Sequence, residues 1–179
     1  MLMMRTRRIE NERLLLEELQ QRNSTRMLHS RDGEAFMIEI DGFPALRCAP
    51  DGDEITSQII SDSHALRVVF PRYYPAMPVE VYLDAPVFHP NVNPENGFIC
   101  LWARHRVQIT LEQTLAQLQR VLAWALLNTS TEHLMQPDAL RWHEQLGAQK
   151  HLPLRFVPLT PVYAQAWDYG VKPLRRRLS

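Results

Sequence analysis

The chain lacks net charge and has no long hydrophobic run. Its 20 basic residues balance 20 acidic ones, so the basic excess expected of a general nucleic-acid binder is absent. Small arginine clusters at residues 5–8 and 175–177 are typical of solvated chain ends. Charges recur from Arg5 onward and interrupt any signal-peptide stretch, and no segment approaches the roughly twenty apolar residues of a membrane span. We therefore expect a soluble cytoplasmic protein that binds neither nucleic acid nor membrane.

Cysteine is scarce as well. The chain has two, Cys48 and Cys100, which cannot form a disulfide framework, and neither belongs to a CxxC pair of the kind that binds zinc. The sequence predicts free thiols in a reducing compartment. It also predicts no metal site and no cofactor. Whether either thiol has a function depends on its reactivity rather than on its packing.

The length of 179 residues fits one domain of ordinary size with some surplus. We place the domain in residues 1–146 and a proline-rich C-terminal extension in residues 147–179. Four prolines interleaved with aromatic residues in this extension favour an extended arm. Such an arm would pack either on the domain or on a partner.

Hydrophobic periodicity predicts the order of the elements. Residues 7–22 form an amphipathic pattern typical of a helix, which the polar residues 23–25 end. Short apolar runs separated by Gly, Asp and Pro follow, and their connections are short enough for hairpins. An antiparallel meander is the simplest assignment, with strands at 35–40, 45–49, 65–70 and 79–83.

A long helix is predicted after the second cysteine. Apolar residues fall on one stripe at helical spacing over residues 111–126, and Thr110 followed by Gln113 has the form of a capping box. Residues 128–131 would end this helix. A second helix is predicted from Asp138 to about residue 149, entered through Pro137.

The most informative segment surrounds the second cysteine and reads HPNVNPENGFICLW, residues 89–102. A cysteine with apolar neighbours is ordinarily a core residue. Here an Asn-Gly turn precedes Cys100 by three residues, and the amide of Asn91 could meet the thiol across a tight loop. The segment therefore also allows a reactive thiol.

The order of helix, four-strand meander, HPN tripeptide, cysteine loop and helix resembles the ubiquitin-conjugating enzyme family over residues 7–146. The specific parts are the segment FPRYYPAMP at residues 70–78, similar to the family's FPxxYPxxPP; His89-Pro90-Asn91; and Ile99-Cys100-Leu101, similar to its ICL. The resemblance implies an α+β fold. Its parts would be an N-terminal helix, a four-stranded antiparallel meander, an active-site loop, a long central helix and a shortened C-terminal helical part.

The resemblance also implies an acyl-transfer function. Cys100 would accept a ubiquitin-like protein from an activating enzyme as a thioester and yield it to an amine of a target protein. Asn91, or the loop that it holds, would stabilise the tetrahedral oxyanion. His89 and Pro90 would be structural residues of the active site. An acid that orients the incoming amine is expected on the loop after the long helix, where Glu132 is the first candidate and Asp138 the second.

The chain departs from the family pattern in several places. Trp102 stands where the family usually carries aspartate, and residues 104–109 replace the WSP-like loop on which RING-type ligases dock. We therefore do not expect ordinary recognition by such ligases. The shortened C-terminal part and the arginine bias resemble a bacterial relative. Bacterial conjugating enzymes are encoded beside an activating enzyme, a ubiquitin-like protein and a metalloprotease in operons implicated in antiphage defence.

Two alternatives to a conjugating enzyme remain at this point. One is a catalytically inactive module of the same fold that only binds ubiquitin-like proteins. The other is a cysteine hydrolase that uses Cys100, His89 and Asn91. The second is disfavoured because His89 and Asn91 lie two positions apart on one extended segment, where their side chains tend to point the same way.

Lysine is the scarcest basic residue, since only Lys150 and Lys172 are present and arginine supplies the other basic positions. Codon usage in a GC-rich genome is one interpretation. The other is that a thioester carrier avoids amines on its own surface, because arginine stays protonated and is a poor acyl acceptor.

Overall fold

The computed structural model describes residues 2–50, 55–145, 151–160 and 172–173. It begins with helix α1, Leu2–Arg22, which starts earlier than the predicted residue 7. Ile9, Glu12, Leu16 and Leu19 are buried at helical spacing and face the core. None of the helices in these ranges is long and apolar enough to cross a membrane.

The buried carboxylate of Glu12 fixes α1 to the rest of the domain. Its Oε1 accepts a hydrogen bond of 2.8 Å from the Tyr74 hydroxyl and lies 2.9 Å from Arg8 Nε. Its Oε2 accepts a hydrogen bond of 2.7 Å from the backbone N–H of Leu111, at the start of the long helix. A carboxylate is stabilised there because the N-terminus of a helix carries partial positive charge.

A four-stranded antiparallel sheet follows α1, as predicted, in the order β1-β2-β3-β4. Its strands are β1 Met27–Asp32, β2 Ala35–Leu46, β3 Ile60–Val69 and β4 Glu80–Leu83. The predicted strands at 35–40 and 45–49 proved to be one strand, because the pairing of β2 with β3 continues across an irregularity between Asp41 and Ala45. Strand β1 was missed because Met27 is its only buried residue, so it has no alternating apolar pattern.

The long helix α2 is Leu111–Leu122, and its predicted capping box is confirmed. Gln113 N–H donates to the Thr110 hydroxyl at 3.2 Å, and Thr110 N–H donates to the Gln113 side chain at 2.9 Å. The predicted continuation to residue 126 is wrong. Trp124 has φ 59° and a fully buried side chain, so the chain leaves the helical path there. Residues Leu126–Leu127 form the short strand β5, which pairs with β6, Lys172–Pro173.

After β5, the described residues form one further α-helix, α3, Pro137–Gln145. Residues 151–160 then pack on the domain: Leu154 N–H donates to Ala123 O at 2.9 Å, and the Gln119 side chain binds Gly42 O, Val157 O and Leu159 N–H. This part of the predicted arm therefore lies on its own domain. The proposed boundary near residue 146 and residues 161–171 and 174–179 lie outside the described residues. The division into two parts stays a prediction.

Candidate active site

The loop that carries Cys100 is attached to the last strand of the sheet. Leu83 N–H donates to Gly97 O at 2.9 Å, and Ile99 N–H donates to Val81 O at 3.0 Å. Gly97 has φ 72°, and a Cβ there would lie 2.0 Å from the Leu83 carbonyl oxygen. Only glycine combines this left-handed conformation with this close approach. The turn before Cys100 is thus fixed against β4.

The HPN segment runs beside the cysteine loop. Cys100 N–H donates to Asn91 O at 2.9 Å, and Val92 and Ile99 form an antiparallel bridge. Cys100 is partly buried at the rim of the fold, and its thiol forms no disulfide.

The side chain of Asn91 holds the loop of residues 128–133, which we call the upper loop. Its Nδ2 donates to Asn128 O at 2.7 Å and to His133 O at 3.0 Å, while its Oδ1 accepts from Asn128 N–H at 3.0 Å. Asn91 is only 1% exposed. The expectation that its amide meets the thiol is therefore not what the structure shows, because both amide hydrogens are used by the upper loop.

His89 and Pro90 lie beneath this loop. The His89 ring is fully buried, accepts a hydrogen bond of 3.1 Å from Asn91 N–H at Nδ1, and packs edge-to-face on Trp124 at 4.7 Å. Burial lowers the pKa of His89 to about 3, and nearby His143 contributes in the same direction. The Pro90 carbonyl accepts from the N–H groups of residues 135 and 136. These contacts link the neutral His89 ring to the backbone of Asn91 and the Pro90 carbonyl to residues 135 and 136, and the structural role of His89 and Pro90 stays a prediction.

A different histidine contacts the thiol. Cys100 Sγ lies 2.9 Å from His133 Nδ1, and the other ring nitrogen of His133 lies 3.9 Å from Glu132 Oε1. The backbone of His133 is fixed by its N–H bond to Ser130 O and by Asn91. Sequence reasoning placed Glu132 and Asp138 here and missed His133. The available signal was its position directly after Glu132, but a loop sequence does not show which side chain turns inward.

The electrostatic surroundings keep the resting thiol protonated. Burial raises the pKa of the Cys100 thiol; a hydrogen bond from the Trp102 backbone acts in the opposite direction, and the charge of Glu132 raises the pKa further. The thiol S–H can donate to His133 Nδ1 in the tautomer that carries the ring hydrogen at Nε2.

The two acidic candidates occupy different settings. Glu132 is 72% exposed at the rim, next to the histidine that contacts the thiol. Asp138 is 78% exposed in the first turn of α3 and forms an ion pair with Arg141. Among the described residues, no group of three or more potential ligands could hold a metal ion.

Comparison with known proteins supports the same fold. A family model described as "Ubiquitin-conjugating enzyme" matches residues 61–145, from β3 to the end of α3. No curated protein matches the chain. Its fold is similar to a protein of Trypanosoma cruzi named as a ubiquitin-conjugating enzyme, with 22% identity, a TM-score of 0.56 and coverage of 78% of this chain and 89% of that one. A protein of Plasmodium yoelii with the same designation has 18% identity, a TM-score of 0.52 and coverage of 79% and 84%. The α+β ubiquitin-conjugating fold is thus confirmed.

Proposed function

We propose that this chain is an acyltransferase of the ubiquitin-conjugating type. It accepts the C-terminal carboxyl of a ubiquitin-like protein from an activating enzyme as a thioester on Cys100, and transfers it to an amine of a target protein. The observation that carries the proposal is the backbone pairing of Cys100 with Asn91, at 2.9 Å, which holds a free thiol at the rim of a ubiquitin-conjugating fold. The family-model match over residues 61–145 includes this pairing.

Asn91 contributes to this reaction by positioning. Both hydrogens of its amide are donated to carbonyl groups of the upper loop, so its hydrogen bonds hold the wall of the site opposite Cys100. An oxyanion could receive a donor from Asn91 only after one of these bonds broke. The contacts therefore favour the reading in which the loop that Asn91 holds stabilises the transition state.

Glu132 is the better candidate for orienting the acceptor amine. Its carboxylate is exposed beside the residue that contacts the thiol, where an incoming ammonium group could approach it. A carboxylate there would bind the amine and help to place it against the thioester. Asp138 is already paired with Arg141 on α3, which makes it the weaker candidate.

The partners follow from the proposed reaction: a ubiquitin-like protein, its activating enzyme and a protein target. The chain lacks the WSP-like loop at residues 104–109, so we propose that RING-type ligases do not recognise it in the usual way. The arginine bias of the sequence supports a bacterial protein, and we place it in the cytoplasm. Antiphage defence is the corresponding proposed setting.

Thioester formation tests the proposal directly. The wild-type protein is incubated with ATP and with the activating enzyme and ubiquitin-like protein encoded beside it, and should form an adduct that a thiol reductant removes. Cys100→Ser should give a more stable ester or no adduct, whereas Cys48→Ser, at the exposed cysteine, should behave like the wild type. A wild type that forms no reductant-sensitive adduct contradicts the proposal. Binding of the ubiquitin-like protein without any adduct would identify an inactive binding module.

One observation favours a second candidate, a cysteine hydrolase. The contact of Cys100 with His133, and of His133 with Glu132, has the order of a nucleophile, a base and an orienting acid. This set differs from the one based on His89, which lies buried below the site. A hydrolase would release a ubiquitin-like protein from an amide or thioester substrate without ATP or activating enzyme. A carrier would not.

A further inference from the structure

We propose that His133 is a catalytic residue that accepts the proton of the Cys100 thiol and returns a proton to the departing sulfur. The use of this step in acyl transfer rests on the function proposed above. The proton transfer itself is a property of the free protein, so it can be tested without any partner.

The geometry of the ring supports this role. His133 Nδ1 lies 2.9 Å from Cys100 Sγ, which is hydrogen-bonding distance for a thiol. The other ring nitrogen lies 3.9 Å from Glu132 Oε1. The proposed step uses the tautomer in which Nε2 carries the ring hydrogen and Nδ1 accepts from the thiol. Glu132 therefore faces the side of the ring that becomes positive when Nδ1 takes up a proton.

The backbone that carries the His133 ring is fixed by bonds that do not involve the thiol. Asn91 Nδ2 donates to His133 O at 3.0 Å, His133 N–H donates to Ser130 O at 2.9 Å, and the Ser130 hydroxyl donates to Asn128 Oδ1 at 2.6 Å. The His133 side chain keeps 22% of its area exposed, so it can still exchange protons with solvent. Such a held but accessible base differs from His89, which is sealed in the core.

The proton and the electrons balance in both half-reactions. During loading, the thiol proton moves to His133 Nδ1, and the Cys100 thiolate attacks the thioester carbonyl on the activating enzyme. The new carbon–sulfur bond forms, the old one breaks, and the departing thiolate takes the proton from Nδ1. During discharge, the target amine attacks the Cys100 thioester and its surplus proton moves to Nδ1. The carbon–nitrogen bond forms, the carbon–sulfur bond breaks, and the Cys100 thiolate recovers the proton.

Among the described residues, His133 contacts the thiol and the charge of Glu132 acts on it, and both lie on the upper loop. The HPN segment contacts Cys100 through the Asn91 backbone carbonyl, and the neutral Asn91 amide is bound to the upper loop. The charge of Glu132 opposes a free thiolate, but it lies closer to the histidine ring and stabilises the imidazolium. We therefore expect the negative charge of Glu132 to stabilise the thiolate–imidazolium pair as a whole.

Alkylation of Cys100 by iodoacetamide tests the proposal. Cys48→Ser provides a single-thiol background, and the rate is measured from about pH 5 to pH 10. In this background His133→Gln should slow alkylation at pH 7 by about tenfold or more and shift the rate profile to higher pH, because the base is lost. Glu132→Gln should slow it by a smaller factor. His151→Gln, at an exposed histidine, is the matched control and should leave the profile unchanged.

Each outcome decides the assignment. An unchanged pH profile in His133→Gln overturns it, provided that circular dichroism shows the native fold. If His133→Gln does not fold, His133→Asn is measured in the same way, and a profile like that of the wild type again overturns the assignment. Failure of this test leaves the carrier function standing, since thioester formation is measured separately. Conversely, a profile that depends on His133 in a protein that forms no thioester would retain the proton transfer and reject the carrier.

Discussion

His89 and His133 each form a hydrogen bond with Asn91, but their surroundings give them different properties. His89 is fully buried against Trp124, and burial lowers its pKa to about 3, so its ring stays neutral. His133 is partly exposed, contacts the thiol at 2.9 Å and has Glu132 at its other nitrogen. The histidine of the sequence motif is therefore buried and neutral, whereas the one that contacts the thiol comes 33 residues after Cys100. Residue type alone does not decide the role of an imidazole.

Asn91 joins these two regions, so its removal should have the largest effect. Asn91→Ala leaves three buried or partly buried backbone groups of the upper loop without their partners. We expect a loss of about 3 kcal/mol in the free energy of unfolding, measured by urea denaturation. The control is Asn93→Ala, which removes only exposed turn bonds to residues 95 and 96 and should cost less than about 1 kcal/mol. If the two variants lost the same free energy of unfolding, the bonds from Asn91 to the upper loop would not contribute to stability as proposed.

Acid should destabilise the buried region through His89. A histidine in the unfolded chain has a pKa near 6.5, whereas that of His89 is lowered to about 3 in the fold. The unfolded state therefore binds the extra proton first as the pH falls. The stabilisation is fully present above pH 6.5 and is lost towards pH 3, at about 1.4 kcal/mol per pH unit.

Urea denaturation at about pH 6.5 and pH 4.5 measures this loss, which should approach roughly 2.5 kcal/mol from His89 alone. His64 and His143, whose pKa values burial also lowers, add to the total. His89→Gln should reduce the pH dependence of the free energy of unfolding. His133→Gln should leave the part of that dependence that comes from His89 unchanged. If His89→Gln showed the same pH dependence of the free energy of unfolding as the wild type, His89 would not be the buried neutral histidine that the contrast requires.

Gly97→Ala tests whether the cysteine side of the site is as rigid as its contacts indicate. An alanine would have to adopt φ 72° and place its Cβ 2.0 Å from Leu83 O. We expect a loss of about 2 kcal/mol or more, together with slower thioester formation as the Cys100 loop shifts. Gly33→Ala has a similar φ of 58° with nothing within 4 Å, and should cost only about 1 kcal/mol. Similar losses in the two variants would show that the contact with β4 is unimportant.

The smallest effect on stability is expected at an exposed arginine near the thiol. Arg104→Lys should change the free energy of unfolding by less than about 0.5 kcal/mol. It should nevertheless increase self-modification in the thioester assay, because it adds an amine four residues after Cys100. Arg31→Lys is the control, since Arg31 lies in β1, at the opposite edge of the sheet from β4. Equal self-modification in both variants and the wild type would leave codon usage as the explanation of the scarce lysine.

Local sequence predicted much of the fold. The capping box at Thr110 and Gln113 was recognisable because both partners lie within one turn of the helix. Strand β1 was not recognisable, since five of its six residues are not buried and carry no core pattern. The end of α2 was also misplaced. Trp124 looks like a helical core residue in the sequence, but its ring is buried among Phe88, Trp142 and His143, contacts that only the folded chain provides.

The candidate site divides in the same way. Cys100 and the HPN segment could be placed together because their separation is short and contains a turn. Glu132 could be placed near them only by resemblance to a family. His133 could not be selected, because the hydrogen bonds that hold the upper loop come from Asn91, about 40 residues earlier.

The sequence by itself determined the presence of a cysteine just after a turn, a capped helix after it and an antiparallel meander before it, because each depends on residues close together in the chain. Only the tertiary structure decided which side chain faces the thiol. That choice depends on the packing of the upper loop against Asn91, and a long-range contact of this kind leaves no periodic signal in the sequence.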